Sequence, residues 1–139
     1  STLFPYTTLF RSGFLGHSYG GKMALWVPAF DERVRVSVSN NCCIDYKHSL
    51  ARDTGMQMEF CIPGFMQSHD IEDVIAEIKN CPLLIHAGED DKWSRGYNEL
   101  LPRIYAKGNN NVELKVYPGG HQFTPEMREN AYSFLEANL

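Results

Sequence analysis

A serine between glycines is the residue best suited to chemistry, in the run Gly16-His17-Ser18-Tyr19-Gly20-Gly21. The spacing G-x-S-x-G is typical of a sharp turn from a strand into a helix, where the serine Oγ stands clear of the backbone. Side chains two residues to either side would collide in such a turn, so Gly16 and Gly20 are predicted to remove these collisions. The pattern indicates that Ser18 is a nucleophile; the alternative is a glycine-rich turn with an idle serine.

The segments on either side of Ser18 have the character that this turn requires. Phe14-Leu15 is the apolar end of a strand, and residues 22–29 have one apolar side, as a helix does. Pro28 and Asp31 are predicted to mark the end of that helix. A helix amino end favours negative charge, so an oxyanion formed beside Ser18 would be stabilised there.

Strand and helix patterns alternate along the rest of the chain. Strands are predicted at residues 34–39, 83–87 and 112–117, and helices at 71–78, 95–107 and from Pro125 onward after a Thr124 cap. Asn40-Asn41 breaks the first of these strands, and Pro102 is predicted to kink or split its helix. Residues 42–70 are irregular, either a small lid or an ordinary packed loop. The alternation predicts a parallel α/β sheet with its four strands in chain order.

A serine nucleophile needs a base, and the base needs a carboxylate that orients it. In open α/β sheets the active groups gather at the carboxyl ends of the strands. Of the five histidines, only His121 lies on a glycine-flanked loop just beyond a predicted strand. Glu89, Asp90 and Asp91 follow the preceding strand. The order along the chain is therefore serine, acid, histidine.

From residue 13 to 139 the chain resembles the α/β-hydrolase superfamily, and within it the dienelactone hydrolases and acetyl-xylan-esterase-like esterases. The matching stretches are residues 16–22, 82–91 and 117–121. The resemblance implies the C-terminal part of an α/β-hydrolase fold, a parallel sheet of about four strands flanked by helices. The implied activity is that of a carboxylic ester hydrolase.

The resemblance also assigns roles to particular residues. Ser18, His121 and Asp91 would form a catalytic triad that works through an acyl-enzyme, with Asp90 or Asp45 as the alternative acid. The backbone N–H of Tyr19 would donate to the oxyanion. The resemblance implies a small-molecule ester as the substrate, with no metal and no cofactor.

Trp93 and Lys92 follow the proposed acid directly. They are candidates for lining the substrate pocket; the alternative is a solvated loop with one packed indole.

Two other functions fit the same three motifs. The first is a serine peptidase similar to prolyl oligopeptidase, which uses a similar turn and the same order of acid and histidine. The second is a catalytically inactive binding module of the same fold. The presence of a candidate for every triad position favours an enzyme over the binding module.

Composition bounds the remaining possibilities. The chain has 139 residues, of which 43% are hydrophobic and 22% charged, as in a single globular domain. Its net charge of −4 disfavours nucleic acid and anionic membrane as partners. The four cysteines, Cys42, Cys43, Cys61 and Cys81, lack the paired spacing of a zinc site. We expect buried thiols in a reducing, cytoplasmic compartment, and the sequence does not indicate the oligomeric state.

Residues 2–12 resemble the in-frame translation of a DNA-sequencing adapter. We therefore expect residues 1–12 to be a non-native tail, and residues 13–139 to be the C-terminal part of one catalytic domain in a longer protein. The alternative is a native apolar N-terminus. If an upstream loop normally supplies a second oxyanion donor, its loss costs about 10²–10³ in turnover. We expect near-background esterase activity from this chain alone.

Overall fold

The computed structural model describes residues 12–42, 45–47 and 61–139. A parallel four-stranded sheet lies at its centre, with the strands in the order β1-β2-β3-β4. The strands are β1 Ser12–His17, β2 Val34–Asn40, β3 Leu83–Gly88 and β4 Val112–Tyr117. The helices are α1 Tyr19–Phe30, α2 Phe65–Ser68, α3 Ile71–Ala76, α4 Tyr97–Ala106 and α5 Pro125–Asn138. The predicted sheet and strand order are confirmed.

Helices cover both faces of the sheet. The alternation of side chains along a strand sends Leu83 and Ile85 of β3 to one face and Leu84 to the other. Leu83 and Ile85 pack in the larger apolar cluster, to which α1, α3 and α4 contribute, whereas Leu84 packs with Ala131 of α5. All six residues of β3 are buried, as expected for a central strand of a parallel sheet. Packing of helices on both faces fixes the carboxyl ends of the strands relative to one another.

Helix α1 ends at Phe30 with Asp31 as its C-cap, so Asp31 marks the end as predicted. The helix continues past Pro28, so the prediction that Pro28 also marks the end was wrong. Proline has no N–H and cannot donate to the carbonyl four residues earlier, which belongs to Ala24. The hydroxyl of Ser37 on β2 donates to that carbonyl oxygen instead, at 2.6 Å. The helix that begins at the candidate nucleophile is thus joined to the sheet by a buried side-chain hydrogen bond.

Helix α4 runs through Pro102 as one element, so it is not split as one form of the prediction had it. It begins at Tyr97 rather than Arg95, because Gly96 has a φ of 82° and cannot be part of an α-helix. The helix ends at Ala106, one residue short of the prediction.

The irregular stretch 42–70 is described only in part, since residues 43–44 and 48–60 lie outside the described residues. Residues 1–11, most of the tail expected to be non-native, also lie outside them. The choice between lid and packed loop therefore stays a prediction. Cys61 is exposed, contrary to the expectation that all the cysteines are buried, whereas Cys42 and Cys81 are buried. Burial raises the pKa of the Cys81 thiol to about 11. No helix in the described part of the chain is long and apolar enough to span a bilayer.

Candidate active site

The turn that carries Ser18 is strained and held from both sides. Ser18 has φ 58° and ψ −121°, a conformation that a residue with a side chain rarely adopts. Such strain costs about 1–3 kcal/mol and persists only where neighbouring structure imposes it. The N–H of Ser18 donates to the carbonyl of Asn40 at 2.9 Å, and the carbonyl of Ser18 accepts from Lys22 N–H at 3.1 Å. These bonds hold the serine between β1 and α1.

Of the two glycines that the spacing predicts to prevent collisions around Ser18, only Gly16 does so. A Cβ on Gly16 would lie 1.9 Å from the carbonyl oxygen of Gly20, so Gly16 is required, as predicted. A Cβ on Gly20 itself would meet nothing within 4 Å, so the prediction of a collision there was wrong. The second close approach is at Gly21, where a Cβ would lie 2.6 Å from the carbonyl oxygen of Asn40. The backbone of α1 at Gly21 therefore packs directly against the backbone of β2 at Asn40.

Ser18 and His121 are in contact at the carboxyl end of the sheet. Nε2 of His121 lies 2.8 Å from Oγ of Ser18, and Nδ1 lies 3.1 and 3.2 Å from the two carboxylate oxygens of Asp91. An ionised carboxylate can only accept, so Nδ1 of a neutral His121 carries the proton and Nε2 is left to accept from the serine hydroxyl. The structure brings together the three side chains singled out from the sequence, in a geometry suited to proton transfer.

Glycines let the loops that carry Asp91 and His121 approach each other. A Cβ on Gly88, at the end of β3, would lie 2.7 Å from the carbonyl oxygens of both Gly119 and Gly120. Gly119 has a φ of 98°, which turns the chain after β4. Only glycine allows this contact and this turn without strain.

The carboxylate of Asp91 is fully buried, with the side chain at 0% exposure, and it accepts further hydrogen bonds. The backbone N–H of Trp93 donates to Oδ1 at 3.0 Å, and the hydroxyl of Ser94 donates to Oδ2 at 2.7 Å. Ser94 is fully buried and was not predicted from the sequence. A hydroxyl three residues after a candidate acid is the signal that could have pointed to it. These donors fix the orientation of the carboxylate that faces His121.

The two alternative acids lie elsewhere. Asp90 is exposed, and its backbone N–H donates to the carbonyl of Gly119 at 3.0 Å. Asp45 is fully buried and forms an ion pair with Arg103 of α4. Burial disfavours the charge on Arg103, but the hydrogen bond and charge of Asp45 outweigh it and raise the pKa of Arg103. The carboxylate that His121 contacts belongs to Asp91.

Tyr19 and Trp93 flank the contact between Ser18 and His121. Tyr19 is the first residue of α1, and the N–H of a first helical residue has no acceptor within the helix. Tyr19 is 57% exposed, with Nζ of Lys22 4.3 Å from the centre of its ring. The Trp93 ring is half-buried, and its centre lies 6.5 Å from that of His121. Their roles toward an oxyanion and a substrate stay predictions.

A chain of polar side chains runs from the turn into the protein, and it was missed from the sequence. His17 Nδ1 lies 2.6 Å from Asn40 Oδ1, Asn40 Nδ2 lies 3.2 Å from Nδ1 of His86, and His86 Nε2 lies 2.9 Å from Asn130 Oδ1. Burial lowers the pKa of His86, which favours its neutral form. With His86 neutral, every hydrogen bond of the chain has one donor and one acceptor if His17 donates to Asn40, Asn40 to His86, and His86 to Asn130.

His17 continues this chain to the base. Its ring centre lies 4.9 Å from that of His121, so the two imidazoles are in contact. Asparagine and histidine from four separate segments meet here, which no local spacing reveals. Within the described residues, no group of three or more His, Cys, Asp or Glu side chains is placed to hold a metal ion.

No protein-family model matches the chain. One curated relative is a carbohydrate esterase, MZ0003, from an unknown prokaryotic organism; it is 32% identical over 124 residues, covering 76% of this chain and 28% of the relative. The chain thus spans less than a third of that protein's length.

Solved esterase structures superpose on most of the chain. The esterase Pf2001 of Pyrococcus furiosus matches with a TM-score of 0.69 and 22% identity, over 92% of this chain and 54% of that one. Acetyl xylan esterase 1 of a Thermoanaerobacterium species gives 0.66 and 22%, over 91% and 45%. A promiscuous CE15 esterase from a marine bacterial metagenome gives 0.62 and 18%, over 91% and 42%.

The chain has the α/β-hydrolase fold. Its four parallel strands and flanking helices correspond to those of these esterases, which confirms the predicted fold class. The chain spans between 42% and 54% of the length of these solved structures. At these identities the likeness to the solved structures concerns the fold alone.

Proposed function

We propose that this chain carries the catalytic centre of a carboxylic ester hydrolase with Ser18 as nucleophile, His121 as base and Asp91 as orienting acid. The observation that carries the proposal is the continuous contact from Oγ of Ser18 through His121 to the buried carboxylate of Asp91. A strained serine at a helix amino end, joined to a histidine that a carboxylate orients, is the arrangement that activates a hydroxyl. The similarity to esterases supports the choice of an ester as the bond.

The proposed reaction proceeds in two balanced halves. Oγ of Ser18 bonds to the ester carbonyl carbon while its proton passes to Nε2 of His121, and an electron pair moves onto the carbonyl oxygen. The bond to the alcohol oxygen then breaks, and Nε2 returns the proton to that oxygen as the alcohol leaves. Water repeats the same steps on the acyl-enzyme, which releases the acid and restores Ser18. Asp91 stabilises the imidazolium in both halves and keeps its own charge.

The negative oxygen of each tetrahedral intermediate would lie at the amino end of α1. There the backbone N–H of Tyr19 is a donor with no acceptor in its own helix. Removing a comparable donor costs about 10²–10³ in turnover, so this N–H carries a large share of the proposed catalysis.

For the substrate we propose an ester of a carbohydrate, with Trp93 as a binding residue. The support is the similarity to a protein named as a carbohydrate esterase and to an acetyl xylan esterase. The half-buried indole of Trp93 beside His121 offers an aromatic surface at the reacting centre.

The test uses the expected longer protein that contains this chain, because near-background turnover is expected from the chain alone. It compares the hydrolysis of a nitrophenyl acetate and of an acetylated xylo-oligosaccharide with that of a fluorogenic dipeptide. We expect ester turnover that Ser18→Ala abolishes and that Ser133→Ala, on the exposed side of α5, leaves unchanged. Cleavage of the dipeptide without the esters would favour the peptidase. Ester turnover that survives Ser18→Ala would contradict the proposed nucleophile.

A further inference from the structure

Asn41 occupies an unusual backbone position at the carboxyl end of β2. Its φ is 45°, in the left-handed region where asparagine is one of the few residues with a side chain that is tolerated. Its N–H donates to the carbonyl of His86 at 3.0 Å, and the residue is fully buried. This conformation directs the chain out of the sheet beside the loops that carry Asp91 and His121.

The side-chain amide of Asn41 contacts both of these loops. Nδ2 donates to the carbonyl of Gln122 at 2.5 Å and lies 3.4 Å from that of Gly120, so it engages the residues on either side of His121. Oδ1 lies 3.5 Å from the hydroxyl of Ser94, whose proton is donated to Asp91 at 2.7 Å. The buried amide is therefore hydrogen-bonded to the histidine loop and packs against Ser94 of the acid loop.

We infer that Asn41 is a positioning residue that fixes His121 against Asp91, although it does not touch the reacting atoms. The loop that ends at His121 contains Gly119 with a φ of 98° and Gly120, and two successive glycines leave a backbone free to adopt other conformations. A buried amide that bridges two carbonyls removes that freedom, because breaking either bond leaves a buried polar group unpaired. The kinetic consequence of this inference rests on the proposed esterase function; the structural consequence does not.

The test compares Asn41→Gly with a matched control, Asn109→Gly. Glycine suits the positive φ of Asn41, so this substitution removes the amide with little backbone strain. Asn109 is also buried, and its Nδ2 bridges two carbonyls, those of Ile75 at 3.0 Å and Ile78 at 2.9 Å. Asn109 precedes β4, whereas Gln122, the partner of Asn41, follows β4. The two asparagines therefore lie toward opposite ends of that strand.

The first readout is the low-field NMR signal of the His121 Nδ1 proton, which requires that the proton be held by the Asp91 carboxylate. The second is kcat and KM for a nitrophenyl ester, measured in the expected longer protein that contains this chain. For Asn41→Gly we expect loss or broadening of the signal and a fall in kcat of about 10- to 100-fold with little change in KM, since a misplacement of about 1 Å has that effect. For Asn109→Gly we expect both readouts unchanged despite a similar loss of stability.

A sharp, undisplaced His121 signal and an unchanged kcat in Asn41→Gly would overturn the inference. An equal loss of both readouts in Asn109→Gly would also overturn it, since the effect would then be one of stability. Should Asn41→Gly fail to fold, Asn41→Asp keeps the shape and offers no donor while ionised, and the same loss is expected. If the longer wild-type protein hydrolyses no ester, yet Asn41→Gly still abolishes the signal, the positioning role stands and the esterase proposal fails.

Discussion

Ser37 donates its hydroxyl proton to the carbonyl oxygen of Ala24, the acceptor that Pro28 leaves unused in α1. The bond is buried and joins β2 to the helix whose amino end carries the candidate nucleophile. A helix defect at Pro28 and a strand hydroxyl at Ser37 thus compensate each other.

We expect Ser37→Ala to destabilise the protein by about 1–3 kcal/mol, because it leaves the Ala24 carbonyl buried without its donor. In a Pro28→Ala background the N–H of residue 28 can donate to that carbonyl, so Ser37→Ala should cost less there. Urea unfolding of the four variants in a double-mutant cycle measures this difference. An equal cost in both backgrounds would contradict the compensation.

The three glycines near Ser18 should differ sharply in their tolerance of alanine. Gly16→Ala and Gly21→Ala place a Cβ 1.9 and 2.6 Å from backbone oxygens, so we expect loss of the native fold or of its thermal transition. Gly20→Ala meets open space and lies in a helix, where alanine is favoured over glycine by about 0.5–1 kcal/mol. Thermal unfolding followed by circular dichroism measures all three, and a Gly20→Ala variant as unstable as Gly16→Ala would refute this reading of the turn.

Ser94→Ala should lower kcat of the proposed reaction by roughly tenfold or more. The hydroxyl donates to the ionised carboxylate of Asp91, and a hydrogen bond to a charged group contributes about 1.5–3 kcal/mol. Asp91 keeps its contacts with His121 and with Trp93 N–H, so KM should change little. Steady-state kinetics against a Ser133→Ala control measure the effect, and a kcat equal to that of the control would show that Ser94 does not support the acid.

Stability should fall on acidification because of His86. Burial lowers its pKa in the folded state, whereas in the unfolded chain it titrates near about 6.5. Above that pH both states are neutral at His86. Below it the unfolded chain binds a proton that the folded protein resists, so the free energy of unfolding decreases.

His86→Gln removes this titration. Between about pH 7.5 and about pH 5.5 the variant should lose less of its unfolding free energy than the wild type, whatever its stability at the higher pH. Urea unfolding at both pH values provides the comparison. Identical losses in the two proteins would show that His86 does not titrate on unfolding in this range.

The sheet was predictable from the sequence because its signals are local. The apolar strand 83–87 and the alternating strand 112–117 lie between glycine and proline breaks, and the positions of Asp91 and His121 just after them follow from the geometry of parallel sheets. The serine turn is recognisable for the same reason, since its glycines are adjacent in sequence.

The supporting contacts could not be predicted because their partners are distant in sequence. Asn41 contacts Gln122, 81 residues away, and its sequence signal is only that of a break after a strand. Which of Gly20 and Gly21 faces β2 depends on how α1 packs, and the exposure of Cys61 depends on how its loop lies. Tertiary packing decides these features, and no local pattern encodes them.

Covalent labelling of Ser18 by a fluorophosphonate tests the central claim most directly. The probe reacts with a serine whose hydroxyl is activated and requires no knowledge of the substrate. We predict that mass spectrometry locates the label on Ser18, that Ser18→Ala abolishes it, and that His121→Ala and Asp91→Asn each slow it by at least about 100-fold, while Asp90→Asn does not. Absence of label on Ser18, or labelling at an unchanged rate in His121→Ala, would contradict a Ser18 nucleophile activated by His121 and Asp91.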